Sequence, residues 1–415
     1  SLPGWHSDEW QKNYLSRYIK MDKNKIMKRY NFDEIIDRKG SNCIKYDGAA
    51  PIYGTNNLTQ MWIADMDFRT PEFILEAIQE RLKHPVLGYF YHSDSFYNAI
   101  IRWMEKRHSW KIEKNWIHFV PGIVTGLAAI VRAFTEKGDK VLVHTPVYHP
   151  FFHVVENQER ELVKVALKIE ENQFQFDYVE IEKQLKTGVK MMIICNPHNP
   201  VGRCWKKEEL QKVAELAAQY SCLIVSDEIH ADLIMPGFKH IPMASISEKI
   251  AQNTITCMAP SKTFNIAGLS SSEIIISNPE LREIFKKEIE DKAHIHLGNV
   301  FGDIALEAAY THGEEWLEQL LAYLSENLQY LQQRMREEFP EIKLYQHEAT
   351  YLVWLNFEKI GMTHKELWKN LIQKCGIALN DGIIFGKEGE YCMRMNIACP
   401  RATIAEAIDK LHNLR

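Results

Sequence analysis

Lys262 lies at the end of an apolar segment, where burial of a charged side chain costs free energy. Lys262 follows an apolar run over residues 254–258 and lies between Pro260 and a turn that contains Gly268. A charged side chain at the end of a buried strand costs free energy unless it is paired or used chemically. Burial lowers the pKa of an amine, and a neutral amine condenses with an aldehyde to form a Schiff base. The position indicates either a lysine that emerges into solvent or a nucleophile.

Other residues that can do chemistry also follow short apolar runs. In open α/β sheets, ligands bind at the carboxyl ends of the strands, so we expect these residues to meet Lys262 in one crevice. They are Gly122 after 116–120, Tyr148 after 140–144, Asn199 after 190–195 and Asp227 after 222–226.

The elements that must position these residues alternate along the chain. Apolar runs of about five residues, separated by helical patterns at 123–134 and 206–220, are typical of a parallel sheet buried on both faces. Earlier helices are predicted over 72–82, with Thr70 as N-cap and Pro71 at the first position, and over 96–108. The pattern predicts an α/β domain with a mostly parallel central sheet covered by helices on both faces.

The chain of 415 residues suggests two domains. After about residue 300 the pattern changes to a long helix over 315–339, short strands at 351–355 and 390–395, and helices over 365–375 and 404–411. We therefore expect a large domain over 69–300 and a smaller α+β domain over 301–415. Residues 31–68 would contribute to the small domain and the active site. Residues 1–30 would form an arm that grips a partner subunit or an extension.

Composition excludes several classes of function. The formal net charge of −5 gives no reason to expect nucleic acid or an anionic membrane as a partner, and no run of about 18 apolar residues predicts a membrane span. The eight cysteines contain no C-x-x-C pair, so we expect neither a zinc site nor disulfides. Free cysteines favour a reducing compartment, and we therefore expect a cytoplasmic location. His294 and His296 are interpreted as structural residues rather than metal ligands.

Five motifs occur in an order that resembles a known family. The chain is similar to the class I/II aminotransferase superfamily of fold-type I enzymes that use pyridoxal 5'-phosphate (PLP). More narrowly, it resembles the cystathionine β-lyases and related C–S lyases, from about residue 30 to the end. The motifs are Trp62-Ile-Ala-Asp-Met-Asp-Phe68, Asn196-Pro-His-Asn-Pro-Val-Gly202, Ser226-Asp-Glu-Ile-His230, Ser261-Lys-Thr-Phe-Asn-Ile-Ala-Gly-Leu269 and Met393-Arg-Met-Asn-Ile-Ala-Cys-Pro400.

The resemblance implies a PLP-dependent transferase-like large domain and a role for each strand-end residue. Lys262 would form the Schiff base with PLP, and Asp227 would keep the ring nitrogen protonated, although Asp also caps helices. The Asn199 amide would donate to the phenolic oxygen, although Asn-Pro sequences form turns for local reasons. Tyr148 would lie over the ring and assist proton transfer.

The phosphate is expected at the start of the helix after Gly122. Free N–H groups at a helix N-terminus bind phosphate, and here they would come from Gly122, Ile123 and Val124. Ser261 would contribute from the lysine loop. Tyr89 resembles a tyrosine that reaches the phosphate from a neighbouring subunit, which implies a homodimer with shared active sites.

The substrate would be a small amino acid held by Arg394 and Ala64. An arginine fork suits bidentate pairing with an α-carboxylate. The sequence also departs from the broader aminotransferase pattern. His230 replaces a tyrosine that contacts the phenolic oxygen, Ser270 replaces a phosphate-binding arginine, and Ala259 replaces a serine.

These departures favour the lyase branch. The leading hypothesis is a C–S β-lyase that converts L-cystathionine or related cysteine S-conjugates to pyruvate, ammonia and a thiol. The alternatives are a class I/II aminotransferase, which would use the same Lys262, and a regulatory protein that retains the PLP scaffold.

Overall fold

The computed structural model describes residues 28–414. The chain divides into two units, residues 1–31 and residues 32–415, and the described helices and strands lie in the second. The arm predicted for residues 1–30 therefore lies outside the described residues, apart from 28–30. That part of the chain includes Trp5, Trp10, Tyr14 and Tyr18, whose spacing in the sequence is helix-like.

The helical patterns predicted over 72–82, 96–108, 123–134, 206–220, 315–339, 365–375 and 404–411 each overlap a described helix, and the other described helices were not predicted. The described helices are α1 Ile44–Asp47, α2 Ala50–Tyr53, α3 Glu72–Leu82, α4 Asp94–His108, α5 Ile123–Phe134, α6 Pro150–Glu156, α7 Tyr178–Leu185, α8 Lys207–Gln219, α9 Glu248–Ala251, α10 Pro279–Lys286, α11 Val300–His312, α12 Glu314–Glu338, α13 His364–Asn370 and α14 Arg401–Leu411.

The strands form two larger sheets and two small pairs. They are β1 Thr59–Gln60, β2 Ile117–Val120, β3 Lys140–Thr145, β4 Glu161–Ala166, β5 Lys168–Glu170, β6 Gln173–Gln175, β7 Val189–Cys195, β8 Leu223–Asp227, β9 Thr254–Met258, β10 Ser272–Ile275, β11 Lys343–Leu344, β12 Leu352–Asn356, β13 Ile377–Ala378, β14 Asn380–Asp381 and β15 Cys392–Asn396.

The central sheet has seven strands in the order β2-β10-β9-β8-β7-β3-β4. Strand β10 is antiparallel to both its neighbours, and the pairs from β9 to β4 are parallel. Neither β4 nor β10 was predicted, because charged residues such as Lys164 and Glu273 interrupt their apolar character. The mostly parallel sheet is confirmed.

Both faces of this sheet are buried. Val141 and Val143 of β3 pack into one apolar cluster with α5 and α6. The alternate residue Leu142 packs into a second cluster with α7 and α8 on the opposite face. Successive strand side chains point to opposite faces, so two separate cores require helices on both sides. This arrangement confirms the covered sheet that the continuous apolar runs predict.

A second sheet, in the order β11-β12-β15-β14, is antiparallel and lies in the C-terminal part of the chain. The short strand β1 pairs in parallel with β13, through Thr59 and Ile377. This pairing connects Thr59 and Gln60 to the C-terminal part of the chain, and the contribution of residues 31–68 to a small domain stays a prediction. The division at residue 300 stays a prediction, since residues 32–415 form one compact unit.

The start of α3 differs from the sequence prediction. Its N-cap is Pro71, and the helix begins at Glu72. Thr70 is not the cap, because its hydroxyl donates to the carbonyl oxygen of Asn265 at 3.0 Å instead. A contact with the loop after Lys262 has displaced a local capping interaction.

No helix among residues 28–414 is long and apolar enough to cross a membrane. The same residues contain no group of three or more His, Cys, Asp or Glu side chains that would hold a metal ion. His294 and His296 lie with their ring centroids 6.4 Å apart.

Candidate active site

Lys262 lies in the loop that follows β9, and its amine faces a carbonyl rather than a carboxylate. The Nζ atom donates to the carbonyl oxygen of Ala64 at 2.7 Å. Burial lowers the pKa of Lys262 to about 8, although the charge of Asp65 opposes the shift. An amine with this pKa is partly neutral near physiological pH and therefore nucleophilic.

Asp227 is the last residue of β8 and is almost completely buried. One carboxylate oxygen accepts a hydrogen bond from the backbone N–H of Ile229 at 3.2 Å. Burial raises the pKa of Asp227 to about 7, and the neighbouring Glu228 carboxylate adds to the effect. A buried carboxyl in this state is stabilised by a cation placed against it.

His230 follows Asp227 in the same loop. Its side chain is buried, and the Nδ1 atom has no hydrogen-bond partner among the described residues. Burial lowers the pKa of His230 to about 3, with further contributions from the charges of Lys262 and Arg394. His230 is therefore a neutral ring that can take one more polar contact.

Tyr148, Asn199 and Arg394 form a connected group. The backbone N–H of Tyr148 donates to the Asn199 carbonyl at 3.1 Å, and Nη1 of Arg394 donates to Oδ1 of Asn199 at 3.1 Å. Burial raises the pKa of Tyr148 to about 12, so its hydroxyl stays protonated. The structure thus brings together residues 246 positions apart along the chain. The strand-end pattern predicts that Tyr148 and Asn199 meet, whereas Arg394 joins them from the middle of β15.

Arg394 of β15 is buried but has only neutral hydrogen-bond partners among the described residues. Nη2 donates to the Trp62 carbonyl at 3.0 Å and to Oδ1 of Asn380, and Nε has no partner. Burial lowers the pKa of Arg394 to about 10. A buried guanidinium without a carboxylate is costly. The site is therefore well suited to an anionic ligand.

The start of α5 leaves open space. Gly122 is the N-cap residue, and a Cβ added to it would meet no atom within 4 Å. The first N–H groups of the helix, from Ile123 and Val124, have no intrahelical acceptor. Space next to free N–H groups is what an anion needs. The contributions of these residues and of Ser261 stay predictions.

Tyr89 is not joined to the other predicted site residues. Its side chain is fully exposed, and Val86, Leu87 and Tyr91 of the same loop are each more than half exposed. An exposed apolar loop of this kind is typical of a surface that meets another protein. The predicted contribution of Tyr89 to a neighbouring subunit stays a prediction.

The sequence reasoning missed several residues around Ala64. The Tyr351 hydroxyl donates to the Ala64 carbonyl at 3.0 Å, beside the Lys262 amine. Lys45 and Arg38 form ion pairs with Asp65 and Asp67. The two aspartates belong to the motif Trp62-Ile-Ala-Asp-Met-Asp-Phe68. Two acids in an otherwise apolar motif could have indicated that basic partners lie nearby. Their basic partners, Arg38 and Lys45, lie in a segment whose sequence shows no hydrophobic periodicity, although Lys45 is part of the short helix α1.

The chain matches the family model "Aminotransferase class I and II" over residues 56–411. It is 40% identical to cystathionine beta-lyase PatB of Bacillus subtilis (strain 168) over 382 residues, which cover 92% of this chain and 98% of that protein.

Solved structures agree with the predicted fold. The chain is similar to cystalysin from Treponema denticola, which contains pyridoxal 5'-phosphate, with a TM-score of 0.90 and 36% identity over 93% of this chain and 99% of that one. It is also similar to the PLP-bound C–S lyase from Staphylococcus hominis, with a TM-score of 0.85 and 33% identity over 93% and 98% of the two chains. The PLP-dependent transferase-like fold is confirmed, and the chain belongs to the class I and II aminotransferase family.

Proposed function

We propose that the protein is a PLP-dependent C–S β-lyase that cleaves L-cystathionine or a related cysteine S-conjugate. The observation that carries the proposal is the Lys262 amine, which bonds to a carbonyl and has a lowered pKa. The names of the relatives from Bacillus subtilis and Staphylococcus hominis point to the same reaction class. The reaction adds water to L-cystathionine and yields pyruvate, ammonia and homocysteine.

The residues present fit PLP. The raised pKa of Asp227 suits a carboxyl that would pair with a cationic ring nitrogen. The open space at Gly122 suits a phosphate. Lys262 would hold the aldehyde carbon, and Asn199 with His230 would flank the phenolic oxygen. When bound, PLP withdraws electrons from the substrate Cα and so makes its proton removable.

The chain's own groups would then orient the substrate and move its protons. Arg394 would bind the α-carboxylate through its planar guanidinium. The positive charge of this group is not balanced by its hydrogen-bond partners, which are neutral oxygens. The Lys262 amine would accept the proton from Cα. Asp227 would hold the proton on the ring nitrogen, and Tyr148, whose pKa is raised, would keep its own proton available for the leaving sulfur.

A product assay tests the proposal. Purified protein incubated with L-cystathionine and no keto acid should release pyruvate, ammonia and free thiol in equal amounts, because elimination consumes only water. An aminotransferase would instead need a keto acid and would form little pyruvate and thiol. Keto-acid-dependent amino transfer without thiol release would replace the proposal by that alternative. The alternative has the support of the family model, whose members include aminotransferases.

We also propose that the protein acts as a homodimer in the cytoplasm. The exposed apolar loop around Tyr89 supports the dimer, because such side chains are usually covered. All eight cysteines, which lie in the described part of the chain, are free, and this fits a reducing compartment.

Mixed dimers test whether Tyr89 serves the neighbouring site. Tyr89→Ala and Lys262→Ala variants, each with low activity, are unfolded together and refolded as a mixture. Refolding of equal amounts makes about half of all dimers mixed. If Tyr89 acts across the interface, one of the two sites in each mixed dimer is intact, so about a quarter of the wild-type activity should return. If Tyr89 acts within its own subunit, every site carries a defect and no activity returns.

A further inference from the structure

The segment of residues 62–68, called the strap below, has no regular secondary structure. Side chains from distant parts of the chain hold its carbonyl groups instead. The Trp62 carbonyl accepts from Arg394, and the Ala64 carbonyl accepts from Lys262 and Tyr351. The strap therefore connects the predicted nucleophile to the predicted carboxylate-binding arginine.

Asn265, three residues after Lys262, holds the second half of the strap. Its Nδ2 donates to the carbonyls of Met66 at 3.0 Å and Phe68 at 2.9 Å, and its Oδ1 accepts from the Met66 N–H at 3.0 Å. The backbone of Asn265 has a φ of 57°, a left-handed conformation that Asn and Gly tolerate best. The loop of Lys262 is thus tied directly to the strap.

Asn396 holds the first half of the strap in the same manner. Its Nδ2 donates to the carbonyls of Ile63 and Asp65, both at 2.7 Å, and its Oδ1 accepts from the Ala398 N–H at 2.8 Å. It lies on β15, two residues after Arg394, and is buried. Each asparagine uses one amide nitrogen to bridge two carbonyls that are two residues apart.

Ala64 lies between Ile63 and Asp65, whose carbonyls Asn396 bridges, and the pair bridged by Asn265, Met66 and Phe68, follows directly. The Ala64 carbonyl oxygen keeps its position because the carbonyls on both sides of it, and the next part of the strap, are hydrogen-bonded to side chains. Buried carbonyls without such partners would leave the segment free to rearrange. The direction of the Lys262 amine depends on this oxygen.

We propose that Asn265 and Asn396 are positioning residues that hold the Ala64 carbonyl against the Lys262 amine. The inference rests on the proposed function. The two asparagines do not touch the reacting atoms. They act through the strap. Its Ala64 carbonyl orients the Lys262 amine, and its Trp62 carbonyl orients Arg394.

The charges around Lys262 give the inference a measurable consequence. Asp65, Arg394, Asp227 and Lys45 all act on the amine. A carbonyl that accepts its hydrogen and the Asp65 carboxylate both favour the protonated nitrogen. Displacement of the strap should therefore lower the pH at which this nitrogen loses its proton.

The test compares three variants of the holoenzyme. Asn265→Gly removes the side chain but tolerates the left-handed backbone. Asn396→Ala removes the other bridge. Asn327→Ala is the control, because Nδ2 of the buried Asn327 also bridges two carbonyls, those of Ile397 at 3.1 Å and Cys399 at 2.9 Å. Residues 397–399 contact the strap three residues beyond Ala64, where the Asp67 N–H donates to the Ala398 carbonyl.

We expect Asn265→Gly to lower kcat about 10- to 100-fold, with KM for L-cystathionine changed less than about 3-fold. The pH midpoint of the absorbance of the lysine-bound cofactor should fall by about one unit. Asn396→Ala should show the same two effects and a KM raised about 10-fold, since Asn396 holds the Ile63 carbonyl, next to the Trp62 carbonyl that accepts from Arg394. Asn327→Ala should lower the melting temperature as much but leave kcat and the midpoint close to those of the wild type.

Equal effects of all three variants, or an unchanged midpoint in Asn265→Gly, would overturn the inference and leave the proposed function intact. A wild-type protein without lysine-bound cofactor absorbance would overturn the proposed function and the inference together.

Discussion

Replacing Lys262 by alanine is expected to lower kcat/KM for L-cystathionine at least about 10⁴-fold, because one amine serves as both cofactor ligand and base. The protein should still fold, since within residues 28–414 the side chain contributes a single hydrogen bond, to the Ala64 carbonyl. Borohydride reduction of the wild type should attach the cofactor to the peptide that contains Lys262. The variant should lose that label.

Lys45 provides a matched control. Its side chain is buried, at 1% exposed, and it bonds to the next carbonyl of the strap, that of Asp65, at 2.8 Å. Its amine is paired with the carboxylates of Asp65 and Asp67 at 2.8 and 3.3 Å. A Lys45→Met variant should keep the label on Lys262. A label on Lys45 in the wild type, or a Lys262→Ala variant with full activity, would show that Lys262 is the wrong residue.

Replacing Arg394 by alanine is expected to lower kcat/KM about 10²- to 10³-fold, mostly through a higher KM. The guanidinium is buried against neutral oxygens of Trp62, Asn199 and Asn380, so its charge is available for the substrate carboxylate. Lysine would restore only part of the loss, because an ammonium cannot present the planar fork.

A conjugate of cysteamine, which lacks the α-carboxylate, separates this role from a structural one. The wild type should process it as poorly as the Arg394→Ala variant processes L-cystathionine, and the substitution should not weaken turnover of the conjugate further. If the variant loses the same factor with both substrates, Arg394 supports the fold of the site rather than the carboxylate.

The hydrogen bond between Arg394 and Asn199 couples the two halves of the site. The first residue is on β15 of the C-terminal sheet, and the second follows β7 of the central sheet. A substrate that binds Arg394 therefore acts on a side chain predicted to contact the cofactor. The two sheets meet where the substrate would sit.

The sequence by itself predicted the parts of the structure that depend on local pattern. Continuous apolar runs predicted the parallel strands β3, β7, β8 and β9, since both faces of such strands are buried. The polar residues at the strand ends, with Lys262 among them, followed from the same pattern. Strand β10 was missed because a buried Glu273 breaks the apolar run that periodicity requires.

Only the tertiary structure decided which partners these residues have. No spacing in the sequence indicates that Asn265 holds Met66, 199 positions away, or that Ala64 receives the Lys262 amine. The tertiary structure also distinguished Lys262 from Lys45, which forms ion pairs with Asp65 and Asp67, because ion-pair partners are brought together only by the fold. Hydrophobic periodicity is a property of neighbouring residues, whereas the acceptor of a side-chain hydrogen bond is chosen by the fold.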